Sequence, residues 1–396
     1  MSDREIVVLS AVRTAVADFG GGLKDLSPSD LAGHVIAEVV KRSGLTPEEI
    51  GHCVIGQVIH TDHSDMYLSR AAAIKGGLPV ETPALTVNRV CGSGMQAIVS
   101  AAQMILLGDC DTAVAGGAES MSRAPYWLPD ARFGARMGHK NMEDPMLGAL
   151  TCPMGDTHMG MTAEKLADQY EISREEQDAL SAESHRRAQR AIEEGRFKSQ
   201  ILPIEVKTRK GVALFDQDEH VRSDTSEEIL AKLKPAFRKE NGTITAGNSS
   251  GLNDAAAAIV LMERSAAETK GLKPLAKLVA YAYAGVDPSI MGIGPVPAVR
   301  NLLQKTSLSI DDIDLWELNE AFAAQALSVV KELNLDLDKV NPNGSGISLG
   351  HPLGATSAVI TVKALYELER IGGRYAVATL CIGGGQGIAT LFERCG

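Results

Sequence analysis

Residues 84–117 read ALTVNRVCGSGMQAIVSAAQMILLGDCDTAVAGG, and the order of patterns within them sets the fold class. ALTVNRV is strand-like, CGSG has the composition of a turn, and MQAIVSAAQMILLG predicts a helix ended by Gly108. DTAVAGG then predicts a second short strand closed by glycines. A strand–helix–strand unit of this kind builds an α/β sheet with helices on its faces.

The C-terminal part repeats the design. LDKVNPNGSG leads into the glycine-rich turn LGHPLG, the helical run ATSAVITVKALYELER follows, and GGRYAVATLCIGGG reads as a strand ending in glycines. Both units open on a Val-Asn pair, Val87-Asn88 and Val340-Asn341, and both place a reactive type of side chain just before a helix. This predicts two α/β halves of similar topology, although chance likeness within one α/β protein is an open alternative. Outside these units, IVVLS at residues 6–10 reads as a buried strand, residues 31–40 have helical periodicity, and CVIGQVI around Ile55 has strand character.

Residues 120–241 differ in character, being rich in Met, Arg, Asp and Pro. They hold a polar helix, SREEQDALSAESHRRAQRAIEEG, in which Ser173 and Glu176 fit a capping box. The expected organisation is a first half from residues 1–120 and 242–270, an inserted loop domain at 121–241, and a second half at 271–396. The run AAAAIVLME that follows the insertion fits either a core helix or a core strand.

A chain of 396 residues exceeds what one hydrophobic core usually holds. The formal net charge of −11 argues against nucleic acid as the main partner. No apolar stretch is expected to be long enough to cross a bilayer, and the opening MSDREIVVLS does not resemble a secretion signal. Six cysteines without a Cys-x-x-Cys pair fit free thiols in the cytoplasm.

Three residues stand out against glycine-rich turns. Cys91 is expected in the first turn of a helix, where free N–H groups and the helix dipole favour a thiolate, with Gly92 and Gly94 leaving room for a substrate. His351 stands at a helix start, where a neutral imidazole suits a base for a thiol. Cys381 precedes three glycines whose N–H groups can turn inward toward a developing oxyanion. Taken singly, each has a plain alternative: a buried cysteine, an exposed loop histidine, a strand end. No ligand cluster of recognised spacing follows His60 and His63, and Asp218, Glu219 and His220 could bind a cation only as a weak alternative, so no metal is expected. GGG near the C-terminus does not match a dinucleotide-binding turn.

VNRVCGSGMQA, WELNEAFAAQ, NPNGSGISLGHPLGAT and CIGGGQGIA, in that order, resemble the signature blocks of the thiolases. GGAESMSRAPY and TAGNSSGLNDAAAA match further blocks, and the resemblance runs from residue 5 to 395, nearest to the bacterial β-ketothiolases and acetyl-CoA acetyltransferases. It implies a thiolase-like α/β fold: two similar halves with helices between and outside mixed sheets, plus the loop domain. It also implies Claisen condensation of two acyl-CoA thioesters, or thiolysis of a 3-ketoacyl-CoA, with ping-pong kinetics. Cys91 would accept the acyl group, His351 would take its proton, and Cys381 would be the acid/base at the substrate α-carbon. Asn319 would position a water that forms one oxyanion hole with His351. The N–H groups of Cys91 and Gly383 would form the other.

By the same resemblance His158 would point toward the thioester, Arg222 would lie near the nucleotide portion of coenzyme A, and Ser250 near its pantetheine. Met159 and Met291 would shape an apolar acyl pocket, with Pro153 and Met154 lining the same region. No covalently bound cofactor is expected: coenzyme A and acyl-CoA are substrates and products. The implied assembly is a homodimer or homotetramer, with neither nucleic acid nor membrane as partner. One position departs from the pattern, Ser357 in GATSA, where a glycine is expected. A related enzyme acting on acyl carrier protein would carry a second histidine where Cys381 stands. A non-catalytic relative would have lost Cys91, His351 or Cys381.

Overall fold

A strand covered by helices on both faces shows no polar alternation, and β1 (Ile6–Thr14) is buried along its whole length. The structure, a computed structural model, describes residues 4–209 and 211–396; Met1–Asp3 of the opening stretch and Lys210 of the insertion lie outside it. The first half continues with β2 (His52–Gly56), β3 (Ala84–Val87), β4 (Thr112–Ser120) and β5 (Asn253–Glu263). The second has β6 (Ala276–Gly285), β7 (Leu315–Leu318), β8 (Tyr375–Ile382) and β9 (Gln386–Arg394).

In the first half the strands lie in the order β3-β2-β4-β5-β1. In the second the order is β7-β8-β9-β6, and Val340 forms a parallel bridge to Trp316 outside β7. Counted within each half, both orders are third, second, fourth, fifth, first, with the second half's third strand reduced to a bridge at Val340. The two Val-Asn pairs therefore mark equivalent strand ends. β1 and β6, the first strand of each half, join the halves through the antiparallel pairs Ile6–Leu278, Val7–Lys277 and Val8–Ala276.

The ambiguous run AAAAIVLME belongs to β5, buried at every position between β1 and β4. Its alanines provide the small surface on which helices approach closely.

Four helices bear on the site: α1 (Ser93–Leu107), α2 (Met159–Gln169), α3 (Arg174–Glu193) and α4 (Leu353–Ile371). α1 and α4 pack on each other between strands of both halves. Ala97, Ile98 and Ile105 of α1 share a core cluster with Ala358, Val362 and Leu365 of α4. Residues 90–107, which comprise α1 and the turn before it, are long and apolar enough to span a membrane, which corrects the sequence expectation; just over half of that stretch is buried in the core. α3 starts at the expected capping box of Ser173 and Glu176. The insertion is tied to β1 by Arg13 and Asp218, both fully buried and joined by two hydrogen bonds of 2.7 and 2.9 Å. Removing one partner of such a pair costs about 3–5 kcal/mol, because the other is left buried and unpaired.

Candidate active site

Cys91 and His351 stand just ahead of the two central helices. α1 begins at Ser93 with Gly92 as its N-cap, so Cys91 lies one residue before the cap rather than in the first turn. The turn that presents it is tightly held. Asn88 Oδ1 accepts the Val90 N–H at 2.8 Å, while Ser93 Oγ accepts the Arg89 N–H at 2.9 Å and donates to Val90 O at 2.6 Å. Val90 has φ of 48°, a left-handed conformation that a β-branched residue adopts only under constraint.

Gly92 and Gly94 do not make room for a substrate, contrary to the sequence expectation. A Cβ on Gly92 would lie 2.6 Å from Ile382 Cδ1, and one on Gly94 would lie 2.9 Å from Ala358 Cβ. They let α1 pack against β8 and α4.

Burial pushes the Cys91 thiol up to about 11, against the N–H groups of Gly383 and Cys91 itself, which pull it down. The expected preference for thiolate is thus outweighed, because desolvation penalises the charged form more than two N–H groups favour it. Cys381, at the end of β8, is buried and also held above the ordinary thiol range, by desolvation first and by the nearby Cys91 sulfur second. The two sulfurs are therefore electrostatic neighbours, and both rest as thiols at neutral pH.

His351 is buried, and desolvation alone pushes its imidazole down to about 4. Its Nδ1 lies 2.6 Å from Thr356 Oγ1, and that hydroxyl lies 3.0 Å from Pro352 O, to which it donates. A hydroxyl that spends its one proton on a carbonyl must accept from Nδ1–H, which leaves Nε2 as the basic nitrogen. Asn253 Oδ1 accepts the His351 backbone N–H at 2.8 Å.

Asn319 follows β7 and is fully buried, yet neither atom of its side-chain amide has a hydrogen-bond partner. An unpaired buried amide of this kind calls for a polar guest.

Neither central helix caps itself with a side chain. Ser357 Oγ on α4 accepts the Met95 N–H of α1 at 2.8 Å. Glu119 at the end of β4 accepts the N–H groups of Gly354, Val58 and Ile59 at 2.8, 3.0 and 3.1 Å. Burial pushes Glu119 up to about 8 despite these three donors.

His158 caps α2, its Nδ1 accepting the Gly160 N–H at 3.1 Å, so the neutral ring carries its proton on Nε2. The ring stacks on Phe237 with centroids 4.7 Å apart. Met159 and Met291 share one buried cluster with Cys381, Phe322 and Cys152. Met159 Cε would lie 3.3 Å from a Cβ on Gly383, and Met154 Cε 3.1 Å from one on Gly384. The Ser250 N–H donates to Ala321 O at 2.9 Å, beside the loop that follows Asn319.

Arg222 lies elsewhere: it is exposed and lines a cavity of about 610 Å³ with His185, Arg190, Ser223 and Ser226 along α3. Asp218, Glu219 and His220 do not converge on one point: they bond separately to Arg13, to the Asp18 and Gly22 N–H groups, and to the Asp18 carboxylate.

Sequence reading missed Thr356, Asn253, Glu119 and the capping role of Ser357. Asn253 lay within a quoted block, TAGNSSGLNDAAAA, but nothing in the block ties it to His351.

A cysteine and a neutral histidine, each just ahead of one of two packed helices, with a second buried cysteine near the first, suit an acyl-transferring enzyme of the condensing type. Comparison with known proteins bears this out. Residues 6–265 match the model of the thiolase N-terminal domain and residues 272–394 that of the thiolase C-terminal domain. The chain belongs to the thiolase family and is an acyltransferase. It is 61% identical over 391 residues to the beta-ketothiolase BktB of Cupriavidus necator, covering 99% of each chain. Among solved structures it superposes on the acetyl-CoA acetyltransferase of Bacillus anthracis with a TM-score of 0.97, at 49% identity and 99% coverage of both chains. Human mitochondrial 3-ketoacyl-CoA thiolase in complex with CoA gives a TM-score of 0.95 at 43% identity, over 99% of this chain and 98% of that one.

Proposed function

We propose that the protein is an acetyl-CoA C-acyltransferase, a β-ketothiolase that reversibly joins two acyl-CoA thioesters or cleaves a 3-ketoacyl-CoA with coenzyme A. The observation that carries this reading is the contact of His351 Nδ1 with Thr356 Oγ1, a hydroxyl that itself donates to Pro352 O, which fits an imidazole whose Nε2 is left to take the Cys91 thiol proton. His351 Nε2 accepts that proton as Cys91 Sγ attacks the acyl carbonyl, and in acylation from an acyl-CoA returns it to the departing coenzyme A thiolate. In thiolysis the Cα–Cβ bond of the 3-ketoacyl-CoA breaks, and its electron pair becomes the enolate of acetyl-CoA. Cys381, protonated at rest, gives its proton to that carbon. Coenzyme A then gives its thiol proton to the Cys381 thiolate and attacks acyl-Cys91, which leaves with the proton held on His351 as the shortened acyl-CoA is released. Condensation runs the same steps backwards, with Cys381 removing the α-proton.

In this reading Asn319, with a water and His351, stabilises the enolate oxygen. The N–H groups of Cys91 and Gly383 stabilise the tetrahedral oxyanion. The Gly383 N–H favours the Cys91 thiolate against desolvation, which supports that assignment. His158 offers its Nε2–H to the thioester, and Met159 and Met291 form the wall of the acyl pocket. Coenzyme A lies under the loop domain of residues 121–241, with its pantetheine near Ser250 and its nucleotide in the cavity at Arg222. A homodimer or homotetramer is part of the same reading, supported by exposed apolar side chains at Trp127, Phe133, Met137 and Met142. A cytoplasmic setting is supported by six free cysteines.

Thiolysis of acetoacetyl-CoA and of longer 3-ketoacyl-CoA esters by the purified protein tests the activity and the pocket together. Cleavage dependent on coenzyme A is expected, and no cleavage at any chain length would overturn the proposal.

A further inference from the structure

The backbone of His351 is held from outside its own loop. Asn253, fully buried at the start of β5, accepts the His351 N–H at 2.8 Å. Its Nδ2 donates to Ala17 O at 3.0 Å and lies 3.4 Å from Asp18 Oδ1. Asp18 in turn pairs with Nδ1 of His220. His220 belongs to the segment that carries Arg222, whose N–H donates to His185 Nδ1 at 3.1 Å in the cavity along α3.

This chain of contacts has no slack. Gly350, at φ of +100°, would place a Cβ 2.4 Å from Asn253 Cγ. A Cβ on Gly251 would lie 2.5 Å from His220 Cε1 and 2.9 Å from Asn253 Oδ1. The segment before His220 is fixed as well, by Asp218 on Arg13 and by Glu219 on the Asp18 N–H at 3.0 Å. Asn253 therefore cannot shift without moving either His220 or the loop that ends at His351.

We infer that Asn253, Asp18 and His220 are positioning residues that set the catalytic imidazole of His351, linking it to the segment bordering the cavity at Arg222. This rests on the reading of His351 as the proton acceptor. None of the three is assigned contact with the reacting atoms. They act by holding the histidine backbone, and a small misplacement of a base lowers the rate steeply. They also make the imidazole's position sensitive to the part of the molecule that faces the nucleotide end of coenzyme A.

The test compares Asn253→Ala, His220→Ala and His220→Asn by kcat, KM for coenzyme A, thermal melting and the rate at which iodoacetamide alkylates Cys91. Asparagine keeps an N–H donor near the place of Nδ1, so it retains the bond to Asp18. His220→Ala and Asn253→Ala are expected to lower kcat about tenfold and slow alkylation in step, with KM near wild type. His220→Asn should restore both rates. Wild-type kcat and alkylation in His220→Ala would overturn the inference, as would a His220→Asn variant as impaired as His220→Ala. If Asn253→Ala fails to fold, the two His220 variants decide alone. A wild-type protein that performs no thiolysis would instead sink the reading of the site on which the inference rests.

Discussion

Thr356 Oγ1 sits 2.6 Å from Nδ1 of His351 and 3.0 Å from the carbonyl of Pro352, so one hydroxyl both fixes the imidazole tautomer and closes the first turn of α4. Thr356→Val keeps the shape and removes the acceptor. The imidazole then loses the partner that holds its proton on Nδ1, and kcat is expected to fall about 10- to 100-fold. Melting should shift by only a few degrees. Steady-state thiolysis and a thermal melt check both parts.

Ser357, where the sequence resemblance leads to the expectation of glycine, makes a specific bond: its hydroxyl accepts the Met95 N–H at 2.8 Å. Ser357→Ala leaves that buried donor unpaired and is expected to destabilise the protein by about 1–3 kcal/mol. Urea unfolding of the two proteins measures the difference. Equal stability would mean the bond contributes nothing net.

The His351 imidazole, pushed down to about 4, stays neutral in the folded protein well below the ordinary histidine range. In the unfolded chain the same group takes up a proton near pH 6.5. Its contribution to stability is therefore fully present above pH 6.5 and is lost as pH falls toward 4. Unfolding free energy measured between pH 7.5 and 4.5 is expected to decline through that window, with His185, also pushed down to about 4, adding to the slope. Acylation of Cys91 should hold its rate down to about pH 5, because the base remains unprotonated.

Cys381→Ala removes the proposed acid/base at the α-carbon and leaves Cys91 and His351 in place. It is expected to form acyl-Cys91 from acetyl-CoA at a rate near wild type, yet to condense at least about 100-fold more slowly. Separate assays of acyl transfer and acetoacetyl-CoA synthesis distinguish the two steps. Near-normal condensation would remove Cys381 from its assigned role.

The two halves were legible because each repeats a local pattern: a Val-Asn pair at a strand end, a small-residue helix, and a strand closed by glycines. The third strand of the second half was not legible, since it survives as one bridge at Val340. β5 defeated periodicity because it is buried on both faces. Cys91, His351 and Cys381 could be singled out from their glycine-rich surroundings, but the ionisation of Cys91 could not. A helix start favours thiolate, whereas desolvation in the folded chain pushes the thiol the other way. The partners that set the site come from far along the chain. Asn253 and His351 are 98 residues apart, Glu119 and Gly354 are 235, and Ser357 and Met95 are 262. Nothing local announces such pairs.

The central claim is that Cys91 carries the acyl group. Incubation with acetyl-CoA labelled in its acetyl group, followed by peptide mapping at low pH, tests it directly. Label is expected on the peptide containing Cys91, discharged by added coenzyme A and absent from Cys91→Ala. Label on Cys381 or another residue, or full condensation activity in Cys91→Ala, would contradict it.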